Sequence, residues 1–302
     1  MTRLNGPDRQ ASNTGARSTL VLKPTEERCL RLLALHQYLT ADQLLRALGL
    51  SEGCGSYARE LVASLARFGL VERIERDRPT PHGSMAGVYT PSSAGRRWLA
   101  RLGMVATGRY RPVDDRRRSR IFLTHALACA DVAISASRLC DQTADLALRH
   151  LWHERALRRQ PTYIHIDGKR RAVIPDLMLD LDANGEQAMV SCEVDLGSER
   201  GPAWKAKIGR LAIWAQGPYR SAFQTESLTI AIIVPGDERR ARSLCRQTAA
   251  ALDGLGLRQL GSLFVFTGQD PAAIPPARFW LAPLCVQPFV DQPVALIEGW
   301  SA

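Results

Sequence analysis

Long apolar runs are missing from this 302-residue chain. The longest strongly apolar run, Leu228–Val234, falls far short of the roughly 20 residues that a membrane helix needs, so no membrane partner is expected. The opening stretch MTRLNGPDRQASNTGARSTL has no apolar core of the kind a secretory signal carries. Residues 1–23 therefore read as a flexible tail in a cytoplasmic protein. No C-x-x-C occurs among the seven cysteines (29, 54, 129, 140, 192, 245 and 285). Scattered and odd in number, they outline neither a zinc knuckle nor a disulfide framework. They read instead as small buried hydrophobes in a reducing compartment. Also absent are G-x-x-x-x-G-K-[ST], G-x-S-x-G and H-E-x-x-H, which removes support for ATP hydrolysis, serine hydrolysis and zinc proteolysis. There is no internal repeat, no low-complexity tract and no heptad that would mark a dimer helix, so a homodimer stays an open expectation.

What is present suffices for two domains. Hydrophobic residues make up 45% and charged residues 23% of the chain, as in ordinary globular proteins. The net charge of +10 is unevenly placed. Residues 1–120 hold 21 Lys+Arg against 11 Asp+Glu, whereas residues 121–302 hold 19 of each. A basic front joined to a neutral rear points to a polyanion-binding module attached to a second function; the alternative is a basic solvated surface.

Pro24 opens a helical pattern in which Thr25 is an expected N-cap, Glu26 and Glu27 lie in the first turn, and Leu30, Leu33, Ala34 and Leu35 form the stripe. Thr40 caps a short helix that Gly49 ends. A third helix is predicted over residues 56–68, with Tyr57, Leu61, Val62 and Leu65 inward, and Gly69 ends it. LVERIERD alternates as a strand, VYT returns as its partner after PTPHGSMAG, and Ser92 or Ser93 opens a fourth helix. Three helices and a hairpin over residues 24–103 resemble a winged helix-turn-helix DNA-binding domain. F-G-L-V-E and T-P-S-S-A-G are typical of that class. By its docking geometry the third helix would enter the major groove of double-stranded DNA. Ser56, Arg59, Glu60, Ser64 and Arg67 are its polar positions, with Arg suited to guanine edges, while Arg73, Arg76 and Arg78 in the wing suit phosphates. An exposed helix face with ordinary charges is the plainer alternative.

Residues 104–121, with the run Arg116–Arg118, read as a basic linker. A second domain is predicted over residues 122–270. It opens with a helix capped by Thr124 and continues α-β-β-β-α-β-α-β, with SLFVFTG as the last strand. Residues 271–302, rich in proline, are expected to wrap the surface.

Within that domain two strands are joined by the turn Ala183-Asn184-Gly185. Asp176 follows Pro175 on the first, and Glu193 and Asp195 lie on the second, two apart and so on one face. Carboxylates in strands of Ile, Leu, Met and Val are costly unless paired or bound to a cation. Three acids at one hairpin suit a hard ion such as Mg²⁺; an ion-pair network or solvent-facing loop ends would use the same residues. On the following helix, the inward stripe Trp204, Ile208 and Leu211 carries Lys207 with it, whereas Lys205 is turned about 100° away. His150 and His153 fall on opposite faces of a strand, and His125 reads as a core or capping histidine.

I-P-D, a hairpin, C-E-V-D and a helix resemble the PD-(D/E)XK nuclease-like, restriction-endonuclease-like αβββαβ fold. The resemblance maps Asp176 and Glu193 to the metal-binding acids, with Asp195 standing where that fold places its lysine. Lys207 from the next helix is then the displaced lysine, and Glu154 in W-H-E-R matches an additional acid of some members. With both halves together, residues 20–270 resemble the plasmid replication-relaxation family. The implied fold class is α/β (α+β). The implied function is double-stranded DNA binding in plasmid or mobile-element replication or mobilisation, with a possible Mg-dependent endodeoxyribonuclease site and a relaxase among the partners. A non-catalytic regulator or relaxosome accessory factor with a degenerate nuclease fold is the alternative.

Overall fold

The computed structural model describes residues 20–74, 87–104, 119–197, 199–297 and 299–300. Arg76 and Arg78, the run Arg116–Arg118 and the stretch through residue 19 lie outside them.

The N-terminal half is built on α1 (Pro24–His36), α2 (Ala41–Leu48), α3 (Gly55–Arg67) and α4 (Ser93–Arg101). The helices pack with a three-stranded sheet in the order β1 (Leu39–Thr40), β3 (Val88–Pro91), β2 (Val71–Ile74). The starts of α1, α2 and α4 follow from local signals. Pro24 takes the first turn of α1, so the cap is Lys23 rather than the expected Thr25, and Glu26 closes it by accepting the Lys23 N–H at 3.0 Å. Thr40 accepts the Gln43 N–H at 3.1 Å, and Gly49 ends α2 at φ 72°. Ser92 accepts the Gly95 N–H at 3.0 Å at the start of α4. Leu30, Leu33, Leu44, Val62, Leu65 and Leu99 are the centre of the core. Leu22 joins them, inside the stretch expected to be tail. Tyr57, expected inward, is 41% exposed, because the buried stripe of α3 runs through Ala58, Leu61, Val62 and Leu65.

The second half is a seven-stranded mixed sheet between two helical layers. Its order is β12 (Val290–Val294), β11 (Cys285–Gln287), β10 (Phe264–Thr267), β9 (Thr229–Ile233), β8 (Glu186–Val194), β7 (Leu177–Ala183), β4 (Leu146–His153). β4, β7 and β8 alternate in direction as an antiparallel set, β8, β9 and β10 are parallel, and β11 and β12 return antiparallel. The chain is thus mixed α/β. Asn184 and Gly185, both at positive φ, make the tight β7–β8 turn.

One face of the sheet is covered by α5 (Arg120–Gln142) and α10 (Pro276–Leu281); the other by α7 (Gly201–Ala215), α8 (Pro218–Phe223) and α9 (Glu238–Gly254), whose core Leu157 of the short α6 (Glu154–Leu157) joins. A separate hairpin, β5 (Thr162–Ile166) and β6 (Lys169–Val173), leans on α7.

Three expectations are corrected here. The helix α5 starts at Arg120 under a Ser119 cap (Phe122 N–H to Oγ, 3.2 Å), not under Thr124. Pro175 and Asp176, expected on the first strand of the acidic hairpin, lie just before it, because Pro175 separates β6 from β7. Residues 271–302 supply α10 and two further strands, so SLFVFTG is not the last strand of the sheet.

α5 joins the halves. By length and composition its 23 residues could cross a membrane, but they are used between two protein surfaces. Leu123, Leu127, Ala130 and Ile134, spaced 4-3-4, face the N-terminal half, while Cys129, Val132, Ala133, Ala136 and Leu139 face the sheet. Polar contacts add to this seam. Gln43 donates to Leu127 O and to Asp131, each at 2.8 Å, and Arg46 donates to Asp131 at 2.6 Å.

Candidate active site

Asp176 is placed by the break at Pro175. It sits at the mouth of β7, beside the end of β8, and its carboxylate accepts the Val194 N–H at 2.9 Å. From α5, His125 Nε2 approaches the same carboxylate at 3.3 Å and Val194 O at 3.1 Å. Since a carbonyl only accepts, Nε2 carries the hydrogen. The hydrogen bond that His125 donates to Asp176 raises the pKa of His125 against the opposing effect of burial.

Glu193 closes β8 with a carboxylate that is 6% exposed, and Lys207 Nζ lies 2.8 Å from it. The helical periodicity that predicts Lys207 inward therefore places it against the acid. Glu199 completes the cluster, 3.1 Å from the same Nζ, while its other oxygen is buried without a hydrogen-bond partner. Burial pushes the Glu193 carboxyl up to about 7, Lys207 opposes that rise, and Asp176 adds to it. Burial also works against the Lys207 ammonium, but Glu193, Glu199 and Asp176 outweigh it and hold the group above its ordinary range.

Asp195 does not join these acids. It is buried against Arg240 of α9, whose guanidinium also donates to Glu199 O at 2.7 Å. Asp176, Glu193 and Asp195 thus form no three-ligand set. The only close gathering of three among the described residues is His125, Cys129 and Asp176, with ligand atoms within 4.8 Å. Glu154 is on α6, where its N–H donates to Asp176 O at 2.9 Å and its carboxylate is held by Arg158 at 3.0 Å. A cavity of about 690 Å³ opens between the halves against Asp176, His125 and Glu154, with His36 and His153 in its wall; Glu193 and Lys207 do not line it.

On α3, Ser56, Arg59, Glu60 and Arg67 are exposed. Ser64 is not free, because it donates to Glu26 of α1 at 2.7 Å. Arg73 is exposed on β2. His125, Glu199 and Arg240 escape sequence reasoning. Only His125 carries a local signal, the four-residue spacing to Cys129 that puts both on one helix face.

The chain is therefore a mixed α/β protein with buried carboxylates around one lysine at the end of a β-hairpin. The profile of the replication-relaxation family matches residues 30–222, and the chain belongs to that family, which gives it a role in replication or mobilisation. Neither the comparison with curated proteins nor that with solved structures returns a match.

Proposed function

We propose that the protein binds double-stranded DNA during replication or mobilisation of a plasmid or mobile element, and that its second half is a nuclease-like domain cutting the phosphodiester backbone. The observation that carries the reading is the Lys207–Glu193 contact of 2.8 Å within the field of Asp176. The order α5, β4, β7, β8, α7, β9 supports it, being αβββαβ with a hairpin inserted between its first and second strands. In the N-terminal half, the exposed face of α3 and the β2–β3 hairpin support a winged helix-turn-helix, with Arg59 and Arg67 at base edges and Arg73 at phosphate.

Asp176 and Glu193 would hold Mg²⁺. A donor set of carboxylate oxygens suits that ion, which commonly takes one or two carboxylates and fills its shell with water and substrate phosphate. Glu199, with its unpartnered buried oxygen, is a third donor of the same type. The ion would supply a more acidic water and neutralise phosphate charge. Lys207 places an ammonium where negative charge develops on the phosphorus oxygens. His125 and the Val194 N–H orient Asp176, and Arg240 removes Asp195 from the reaction.

The test is Mg²⁺- or Mn²⁺-dependent nicking of supercoiled plasmid. The wild type should nick, whereas Asp176→Asn and Lys207→Met should bind DNA without nicking. A specific observation favours a second reading, a non-catalytic accessory factor: Glu193 and Asp195 are already neutralised by Lys207 and Arg240. DNA binding by wild type with no nicking under either metal would establish it.

A further inference from the structure

On the β5–β6 hairpin, two cations share the inner face with two isoleucines. Directly opposed residues of a hairpin share a face, and Ile164 pairs with Arg171 and Ile166 with Lys169. That face leans on α7, where Lys205, Ala206, Gly209 and Arg210 recur at helical spacing along one side. Between them runs an open groove of about 1030 Å³. Lys169, Arg171, Lys205 and Arg210 line it, and none of the four is paired with a carboxylate among the described residues. Asp167, in the hairpin turn, is the one acid in the lining. The floor is formed by small residues, and a Cβ placed on Gly209 would meet only Leu255, at 3.9 Å. Half of the chain's four lysines stand here, in the half whose overall charge is zero.

Unpaired cations along a groove with a low floor are what a polyanionic backbone requires, since each neutralised phosphate releases a counterion. We propose that this groove between the β5–β6 hairpin and α7 seats the sugar-phosphate backbone of duplex DNA, as a second contact separate from α3. The proposal rests on the DNA-binding reading above and extends it. The groove offers charge and no base-reading geometry, so it adds affinity without sequence preference. α7 also carries Lys207, so the strand held in the groove follows the helix that supplies the lysine at Glu193.

The experiment measures binding of the full-length chain to a duplex oligonucleotide as a function of salt, with hydroxyl-radical footprinting of the same complexes. The variants are Lys169→Ala/Arg171→Ala and, separately, Ala206→Glu, which sets a negative charge on the exposed floor without touching the core. Urea unfolding checks that both remain folded. Loss of two phosphate contacts should flatten the slope of log K against log salt by about 1.8 and weaken binding roughly tenfold per contact at 0.1 M salt. The loss should be equal on specific and scrambled duplexes, and protection flanking the α3 footprint should disappear. Wild-type affinity, slope and footprint in both variants would overturn the groove while leaving the DNA-binding reading intact. A wild type that binds no duplex would overturn both.

Discussion

Acid should open the seam between the two halves, and the size of the effect follows from two histidines. His36, at the end of α1, and His153, at the end of β4, meet edge to face with ring centroids 5.2 Å apart. His36 Nδ1 and His153 Nε2 are buried with no hydrogen-bond partner. Burial, with the neighbouring ring adding to it, holds His36 well below its usual pKa, and burial brings His153 down to about 4. A histidine whose folded pKa is depressed costs nothing well above 6.5; its cost grows as pH falls from the unfolded value towards the folded one. For His153 the difference between pH 8 and pH 5 is about 1.5 pKa units, or about 2 kcal/mol, and His36 adds in the same direction. His125 has the opposite sign, because its raised pKa contributes stability at low pH that is lost as pH rises. The comparison must therefore be made against a variant that keeps His125. His153→Phe preserves the ring contact and removes the titration. Urea unfolding of both proteins from pH 8 to pH 5 should show the wild type losing about 2 kcal/mol more than the variant. Parallel pH profiles would refute the assignment of a neutral histidine at this seam.

Gly95 has no room for a side chain, because a Cβ there would lie 2.1 Å from Leu70 O. Gly95→Ala should destabilise the N-terminal half by about 2–4 kcal/mol, read as a fall in the urea midpoint. Lys207→Met strands Glu193, with a cost bounded at about 3–5 kcal/mol. Since burial holds this carboxyl well above its usual range even beside Lys207, and the lysine's loss raises it further, the loss should be larger at pH 8 than at pH 5.5, and equal losses at both would show that the lysine does not hold a charged carboxylate. On DNA, Arg59→Ala should relax base preference by about 1–3 kcal/mol. Arg73→Ala should weaken specific and scrambled duplexes alike, measured by salt-dependent binding; matching losses from both substitutions on every sequence would remove α3 from the recognition role.

How far these features are legible in the sequence depends on how local their causes are. Thr40 and Gly49 bound α2 as expected, because a hydroxyl cap and a left-handed glycine act within a few residues. Lys207 could be placed inward because Trp204, Ile208 and Leu211 set a helical stripe around it. The β5–β6 hairpin is poorly legible although Asp167-Gly168 is a strong two-residue turn signal, since each strand has only five residues and β6 opens with three cations. The last two strands were hidden by proline. Pro293 is tolerated because β12 is the sheet edge, where a missing N–H costs no ladder bond. Asp195 shows the limit most plainly. Strand alternation puts it on the Glu193 side, but its neighbour there is Arg240, 45 residues onward, and no local pattern announces that contact.

The placement of α5 ties these parts together. A helix with one apolar stripe can serve one core, whereas α5 has two. The residues against the N-terminal half and the residues against the sheet alternate along the same 23 positions. Moving the N-terminal half away from α5 would expose Leu123, Leu127 and Ile134 and break the Gln43 and Arg46 contacts to Asp131. Moving the sheet away would expose the opposite stripe and withdraw His125 from Asp176. Neither separation is cheap at about 25 cal/mol per Å² of apolar surface. The distance from α3 to Asp176 is therefore set by a shared core element and not by a free tether. On the proposed reading, DNA held by α3 would meet the rest of the protein in one register, and the backbone position presented to Asp176 would be fixed relative to the bound site. The same packing accounts for the apolar character of α5: its hydropathy serves two interfaces inside one protein.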